Sequence, residues 1–212
     1  VAIHLYTYID PISSKHMEQA KICLQKEGLI AYPSDVNWAI AWNPNSKKAL
    51  QKVQWLKPTH PKEQAFTLLC HSFAMVAQVG HVEHAQYRIL RKLLPGPYTI
   101  LLRRNQAYKL LATKKDSVGV RYAASPLMEA LITAFGSPLA STSLDFSPES
   151  SGKSPLSPPR FGYEIEEQFG TQLDLILDLG EEISPQQTTI LDCTDVSPLL
   201  VRQGIGRVEG IL

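Results

Sequence analysis

The run from Val118 to Ser143, VGVRYAASPLMEALITAFGSPLASTS, decides the fold class. Val118 to Arg121 is a short apolar strand that delivers a guanidinium at its end. Ser125 followed by Pro126 is a conventional helix start, since serine accepts from a free backbone N–H and proline has none to satisfy. Gly136 is a natural stop. Pro138 to Thr142 is extended again, and three hydroxyls, Ser141, Thr142 and Ser143, emerge at its end. Strand, helix and strand in succession mean an α/β arrangement.

The same alternation extends in both directions. Ile3 to Ile9 reads as a first strand, and Asp10-Pro11 opens a helix running to about Lys26, with Gly28 as its stop. Leu29 to Tyr32 and Asn37 to Trp42 are strands on either side of the turn Pro33-Ser34-Asp35. Ser46 caps a helix whose apolar positions Ala49, Leu50, Val53 and Leu56 recur at helical spacing. Lys57 to Ala65 is a loop and Phe66 to Cys70 a buried strand. Phe73 to Val79 and Val82 to Leu94 are helices, ended by Pro95-Gly96-Pro97, after which Tyr98 to Leu102 is a strand. Phe161 to Phe169 reads as a helix, and Leu173 to Leu177, Thr188 to Leu191 and Leu199 to Val201 as strands. Several closely spaced late strands point to a mixed sheet. Residues 146–160 are dominated by Ser, Pro and Gly and are expected to form a surface loop within one domain spanning 1–212.

Composition narrows the class. Of 212 residues, 44% are hydrophobic and 19% charged, which excludes intrinsic disorder and allows a sizeable core. No stretch has the roughly 20 apolar residues a membrane helix needs. Cys23, Cys70 and Cys193 match neither a disulfide framework nor a zinc spacing. The N-terminus lacks a signal-peptide pattern, so cytoplasmic residence is expected. The net charge of +1 conceals a division. Residues 146–212 hold four basic and eleven acidic side chains, leaving seventeen basic and nine acidic before them. Arg88 to Arg121 contains nine basic residues against Asp116 alone, a band that suits polyphosphate or nucleic acid, or else a solvated face.

Candidate chemistry sits at strand ends. Ser34 and Asp35 follow a strand, where ligand crevices of open α/β sheets lie, although such a pair also makes an ordinary Asx or Ser turn. Lys57 at a helix end either reaches an anion or offsets the helix dipole. Arg121 suits carboxylate or phosphate recognition, with a surface ion pair as the competing account. The Ser141-Thr142-Ser143 hydroxyls suit phosphate oxygens. Arg202-Gln203-Gly204-Ile205-Gly206 closes the last strand with a base and two permissive glycines. No P-loop, GxGxxG, G-x-S-x-G or H-E-x-x-H pattern occurs. His81 and His84, three apart on an expected helix, lack a third ligand and read as surface residues.

In order, these segments resemble one family. Tyr32-Pro33-Ser34-Asp35 looks like the Y-P-T-D turn of YrdC-like proteins, the threonylcarbamoyl-adenylate synthases. Leu56-Lys57 is similar to their K-x-R segment, and Leu94 to Thr99 to their L-x-P-G-P-x-T. Val118 to Arg121, Ser141 to Ser143 and Val201 to Gly204 recur in the same sequence. Trp38 to Ala41, and Leu144 after the three hydroxyls, are similar to the YciO branch. The chain ends just after the R-x-G segment, so the extra C-terminal domain of longer members is expected to be absent.

The resemblance implies a single-domain open twisted mixed sheet with flanking helices and a concave basic cavity. It implies joining of L-threonine and bicarbonate as a carbamate that attacks the α-phosphorus of ATP, for tRNA modification, with Mg2+ accompanying ATP. By carry-over, Lys57, Ser143 and Asp145 are catalytic; Ser141, Ser143 and Arg202 bind nucleotide; Ser34 and Arg121 hold substrate; no metal is ligated by the protein. Two positions depart from the catalytic branch: Thr59 stands where arginine is expected, and Asp145 replaces asparagine. Weakened or altered nucleotidyl transfer is therefore the expectation. The alternatives are a non-catalytic module binding double-stranded RNA or tRNA through the Arg88–Arg121 band, and carbamoyl transfer as in related hydrogenase-maturation domains.

Overall fold

In the computed structural model, which describes residues 1–57, 66–110, 116–122, 124–144 and 157–210, ten strands and six helices alternate along the chain. They are β1 (Ile3–Tyr6), α1 (Ser14–Gln25), β2 (Ile30–Pro33), β3 (Trp38–Trp42), α2 (Lys47–Leu56), β4 (Thr67–Leu69), α3 (Phe73–Val79) and α4 (His84–Leu93). There follow β5 (Tyr98–Arg103), β6 (Ser117–Arg121), α5 (Pro126–Phe135), β7 (Leu139–Ser143), α6 (Gly162–Phe169), β8 (Leu175–Asp178), β9 (Thr189–Asp192) and β10 (Leu199–Arg202). All ten strands join one open mixed sheet in the order β1-β8-β2-β3-β7-β4-β6-β5-β9-β10. Parallel pairs (β1 and β2 on β8, β4 on β6, β5 on β9) alternate with antiparallel ones. The open mixed sheet expected from the sequence is the sheet observed.

Side-chain alternation divides the chain between two faces. On one, α2, α3, α4 and α6 cover Trp38, Ile40, Trp42, Leu68, Ile100, Val118, Val120 and Ala140. On the other, α1 and α5 cover Tyr32, Ala39, Ala41, Leu69, Leu139 and Leu175. Fully buried residues such as Leu24 and Ile40 contribute about 1.5–3 kcal/mol each. Helix starts follow their caps: Ser46, Ser72 and Ser125 each accept from the backbone N–H three residues on, and Gly136 closes α5 with φ 84°.

Three readings are corrected. The first strand ends at Tyr6, because its partner β8 ends at Asp178, whose carbonyl takes the Thr7 N–H. The first helix begins at Ser14, where the Ser13 hydroxyl accepts from His16 N, and not at Asp10-Pro11. His81 precedes α4 and pairs with Glu83, so it shares no helix with His84. The Lys57–Ala65 loop and the 146–160 loop fall mostly outside the described residues; 157–160, which are described, carry no regular structure.

Candidate active site

Only part of the α1–α5 face is covered by helix. Across β7, β4, β6 and β5 the register sets Ser141, Thr67, Gly119 and Leu101 side by side. Serine, threonine and glycine at three of these four positions leave space where bulky residues would fill it. A cavity of about 350 Å³ results, within the range of small-molecule sites. Its wall also takes Thr99, Ser117, Ser143, Gln187 and Thr188. In between, Leu68, Val118, Val120 and Ala140 turn to the opposite core. The dyad pattern of SVGVR thus records two different neighbours, a core on one side and a cavity on the other.

Among the described lining residues, Lys57, Arg121 and Arg202 are cationic and none is a carboxylate. Lys57 caps the C-terminus of α2, and its Nζ donates to Thr142 Oγ1 at 3.4 Å. Arg121 ends β6 and is 7% exposed; Nη2 donates to the Asp35 carboxylate, while Nε is buried without a hydrogen-bond partner. Burial pushes the Asp35 carboxyl above its usual range, and the guanidinium only partly pulls it back. Arg121 is buried and the Asp35 carboxylate part-buried, so this is not the surface ion pair that the sequence left open.

Arg202, at the end of β10, donates from Nε and Nη2 to the Thr188 carbonyl at 3.3 and 3.0 Å. Thr188 Oγ1 lies 2.9 Å from Thr99 Oγ1, so base and hydroxyls form one connected wall. The following turn is tight. A Cβ on Gly204 would overlap the Gln187 and Thr188 backbone, so glycine is required there by close approach.

The structure brings Lys57, Arg121, Ser141, Ser143 and Arg202 to one cavity. Ser34 lies apart from its lining. Its Oγ donates to the Asn37 carbonyl at 2.7 Å and accepts from Asn37 N at 3.1 Å, closing the β2–β3 turn. Asn37 Nδ2 then donates to Gln186 O, fastening that turn to the segment carrying Gln187 and Thr188. Asp145 and Thr59 lie outside the described residues. Thr67, Gly119 and Thr188 were missed by sequence reasoning. Strand alternation could have found Thr67 and Gly119, because each shares the phase of a singled-out residue on its own or a neighbouring strand.

Several described members of the Arg88–Arg121 band have separate local partners. Arg91 packs over the Phe73 ring, Arg103 pairs with Asp195, Arg104 bonds Gln106, and Arg121 turns into the cavity. Among the described residues no group of three or more His, Cys, Asp or Glu gathers in a way that could hold a metal. No described helix is long and apolar enough to cross a membrane.

Comparison with known proteins follows the same lines. Residues 23–204 match the family model Sua5_yciO_yrdC, described as Telomere recombination. The protein YciO of Escherichia coli (strain K12) is 30% identical over 209 residues, covering 98% of both chains. A protein of Vibrio campbellii named Threonylcarbamoyl-AMP synthase is 30% identical over 167 residues, 77% of this chain and 86% of that one. The crystal structure of E. coli YciO superposes with a TM-score of 0.87 at 27% identity, covering all of both chains. P. abyssi Sua5 complexed with L-threonine shares the fold, with a TM-score of 0.80 at 22% identity over 96% of this chain and 58% of that one. With a model match across residues 23–204 and 30% identity to YciO over nearly the whole of both proteins, the chain belongs to the Sua5/YciO/YrdC family.

Proposed function

We propose that this chain is a nucleotidyltransferase of the threonylcarbamoyl-AMP synthase kind, with turnover weakened or altered by Thr59 and Asp145. The observation that carries the reading is the cavity: three cations and a hydroxyl wall, with no described carboxylate among its lining, in a relative of a threonylcarbamoyl-AMP synthase. In this reading L-threonine and bicarbonate combine as a carbamate with loss of water. A carbamate oxygen attacks the α-phosphorus of ATP, the bond to the β-phosphate oxygen breaks, and pyrophosphate leaves. Such a reaction needs positioning and fixed positive charge more than a covalent nucleophile.

Lys57 and Arg202 would meet the phosphates, Ser141 and Ser143 would donate to nucleotide oxygens, and Arg121 would hold the threonine carboxylate. Mg2+ would arrive on the ATP phosphates as part of the substrate. The product suits modification of tRNA. Threonine-dependent release of pyrophosphate from ATP, with bicarbonate and Mg2+ present, tests the proposal. Release well above an Arg121→Ala control is expected; release no greater than that control overturns the enzymatic reading.

A further inference from the structure

Tyr32, in β2, is fully buried, and its hydroxyl lies 2.9 Å from the Oγ of Ser141 in β7. The strand β3 runs between them. On the face they share, β3 presents only Ala39 and Ala41, small enough for the phenol to reach across. Tyr32 belongs to the core under α1 and α5, whereas Ser141 lines the cavity.

Either hydroxyl could give the proton of this bond, and burial decides between them. If Ser141 donated, the buried phenol proton would have no other partner among the described residues, at a cost of about 1–3 kcal/mol. Among the described residues the Tyr32 hydroxyl bonds only Ser141. If Tyr32 donates, the leftover proton is that of Ser141, and the cavity offers it an acceptor. A serine hydroxyl has one proton and two lone pairs; with the phenol on one lone pair, its proton remains to be donated into the cavity.

We propose that Tyr32 is a positioning residue that commits the Ser141 hydroxyl to donate into the cavity, so that this point of the wall selects an anionic oxygen, phosphate or carboxylate. The inference deepens the function proposed above and rests on the cavity taking an anion. It also assigns Ala39 and Ala41 a purpose, as the gap through which the phenol acts.

The test is calorimetric titration of the full chain with inorganic pyrophosphate and, separately, with L-threonine. Wild type, Tyr32→Phe, Ser141→Ala and the double variant are compared, with melting temperatures recorded. Ser141→Ala is expected to weaken one of the two anions about tenfold. Tyr32→Phe is expected to weaken the same anion about threefold or more, and the double variant to match Ser141→Ala alone, because Tyr32 acts only through that hydroxyl. A loss confined to pyrophosphate assigns a phosphate oxygen, and one confined to threonine a carboxylate.

Unchanged binding in Tyr32→Phe overturns the proposal, as do losses that multiply in the double variant or wild type that binds neither anion. Should Tyr32→Phe fail to fold, Ser141→Ala decides: equal affinity for both anions overturns the donor role, and a tenfold loss supports it. The pyrophosphate-release assay reports separately. Coupled anion binding without threonine-dependent release would leave Tyr32 in its role and remove the synthase reading; release with an unaffected Tyr32→Phe would do the reverse.

Discussion

The Arg121 guanidinium at the end of β6 donates to the Asp35 carboxylate in the turn after β2, joining segments 86 residues apart beside the cavity. The contact anchors Nη2 and leaves the buried Nε without a partner. Two-point recognition of a carboxylate or phosphate uses such remaining donors of the guanidinium fork.

Removing Asp35 should therefore depend on what replaces it. Asp35→Ala leaves the buried guanidinium without its acceptor and is expected to cost about 1–3 kcal/mol in chemical denaturation. Asp35→Asn removes the charge but keeps an acceptor, and is expected to cost less than Asp35→Ala at neutral pH. The sign with pH follows from burial, which raises the folded carboxyl above its ordinary 3.8 despite Arg121. The fold then binds the proton more tightly than the unfolded chain. Stability contributed by Asp35 falls as pH rises above 3.8 through the folded value, and Asp35→Asn should abolish that slope. Equal losses for the two variants would contradict this account.

Much of this site was legible one strand at a time, and little of it as pairs. Strand ends carrying Arg121 and the Ser141–Ser143 hydroxyls could be read from alternation and turn residues, because those signals are local. The union of Arg121 with Asp35, and of Tyr32 with Ser141, depends on sheet order, which puts β7, β4 and β6 beside β3 although chain order does not. Ser34 illustrates the converse. Its place after a strand suggested a ligand contact, but the local competition of a serine hydroxyl for nearby backbone gave it to the turn. Arg103 and Arg121, both in the basic band, part for a simple reason: β5 and β6 are antiparallel, so the two lie at opposite ends of the pair.

At the other end of the sheet, His4 Nδ1 meets Glu166 and Nε2 meets Asp178, both at 2.9 Å. Burial pulls the imidazolium down, but hydrogen bonds and charge from the two carboxylates outweigh it, so the folded pKa lies above 6.5. A raised histidine stabilises fully below the unfolded value and loses that contribution as pH rises through the folded one. The melting temperature should fall across this window, and His4→Gln should flatten the fall. The two windows open at different pH, 3.8 for Asp35 and 6.5 for His4, and each variant removes its own slope, so both can be followed in one pH series. A His4→Gln profile that follows wild type would remove the carboxylate clamp as its cause.

Gly162, the first residue of α6, faces the same clamp. A Cβ there would overlap the Asp178 carboxylate. That carboxylate cannot swing aside freely, since Oδ2 is held by His4 and Oδ1 accepts from Gly180 N at 2.8 Å. Gly162→Ala would gain helix propensity on an exposed helix but here should destabilise by about 1–3 kcal/mol, the usual cost of overpacking. Pairing it with Asp178→Ala should recover part of the loss. No recovery in the double variant would place the strain elsewhere.

Gly119 provides the sharpest test that the cavity is the site of reaction. It lies at the centre of the cavity-facing row, between Thr67 and Leu101. A Cβ there would sit 3.5 Å from Thr67 Oγ1 and 3.6 Å from Leu101 Cδ2, ordinary contact distances, so the strand accepts a side chain. Valine suits a strand better than glycine, and Gly119→Val is expected to fold with undiminished stability. Its methyl groups would project into a space of about 350 Å³ and displace anything bound across β6. Threonine-dependent pyrophosphate release should then fall about a hundredfold, the scale of a substrate held out of line, with Gly119→Ala intermediate. Wild-type release from a well-folded Gly119→Val would move the chemistry out of this cavity, whatever the roles of Arg121 and Ser141.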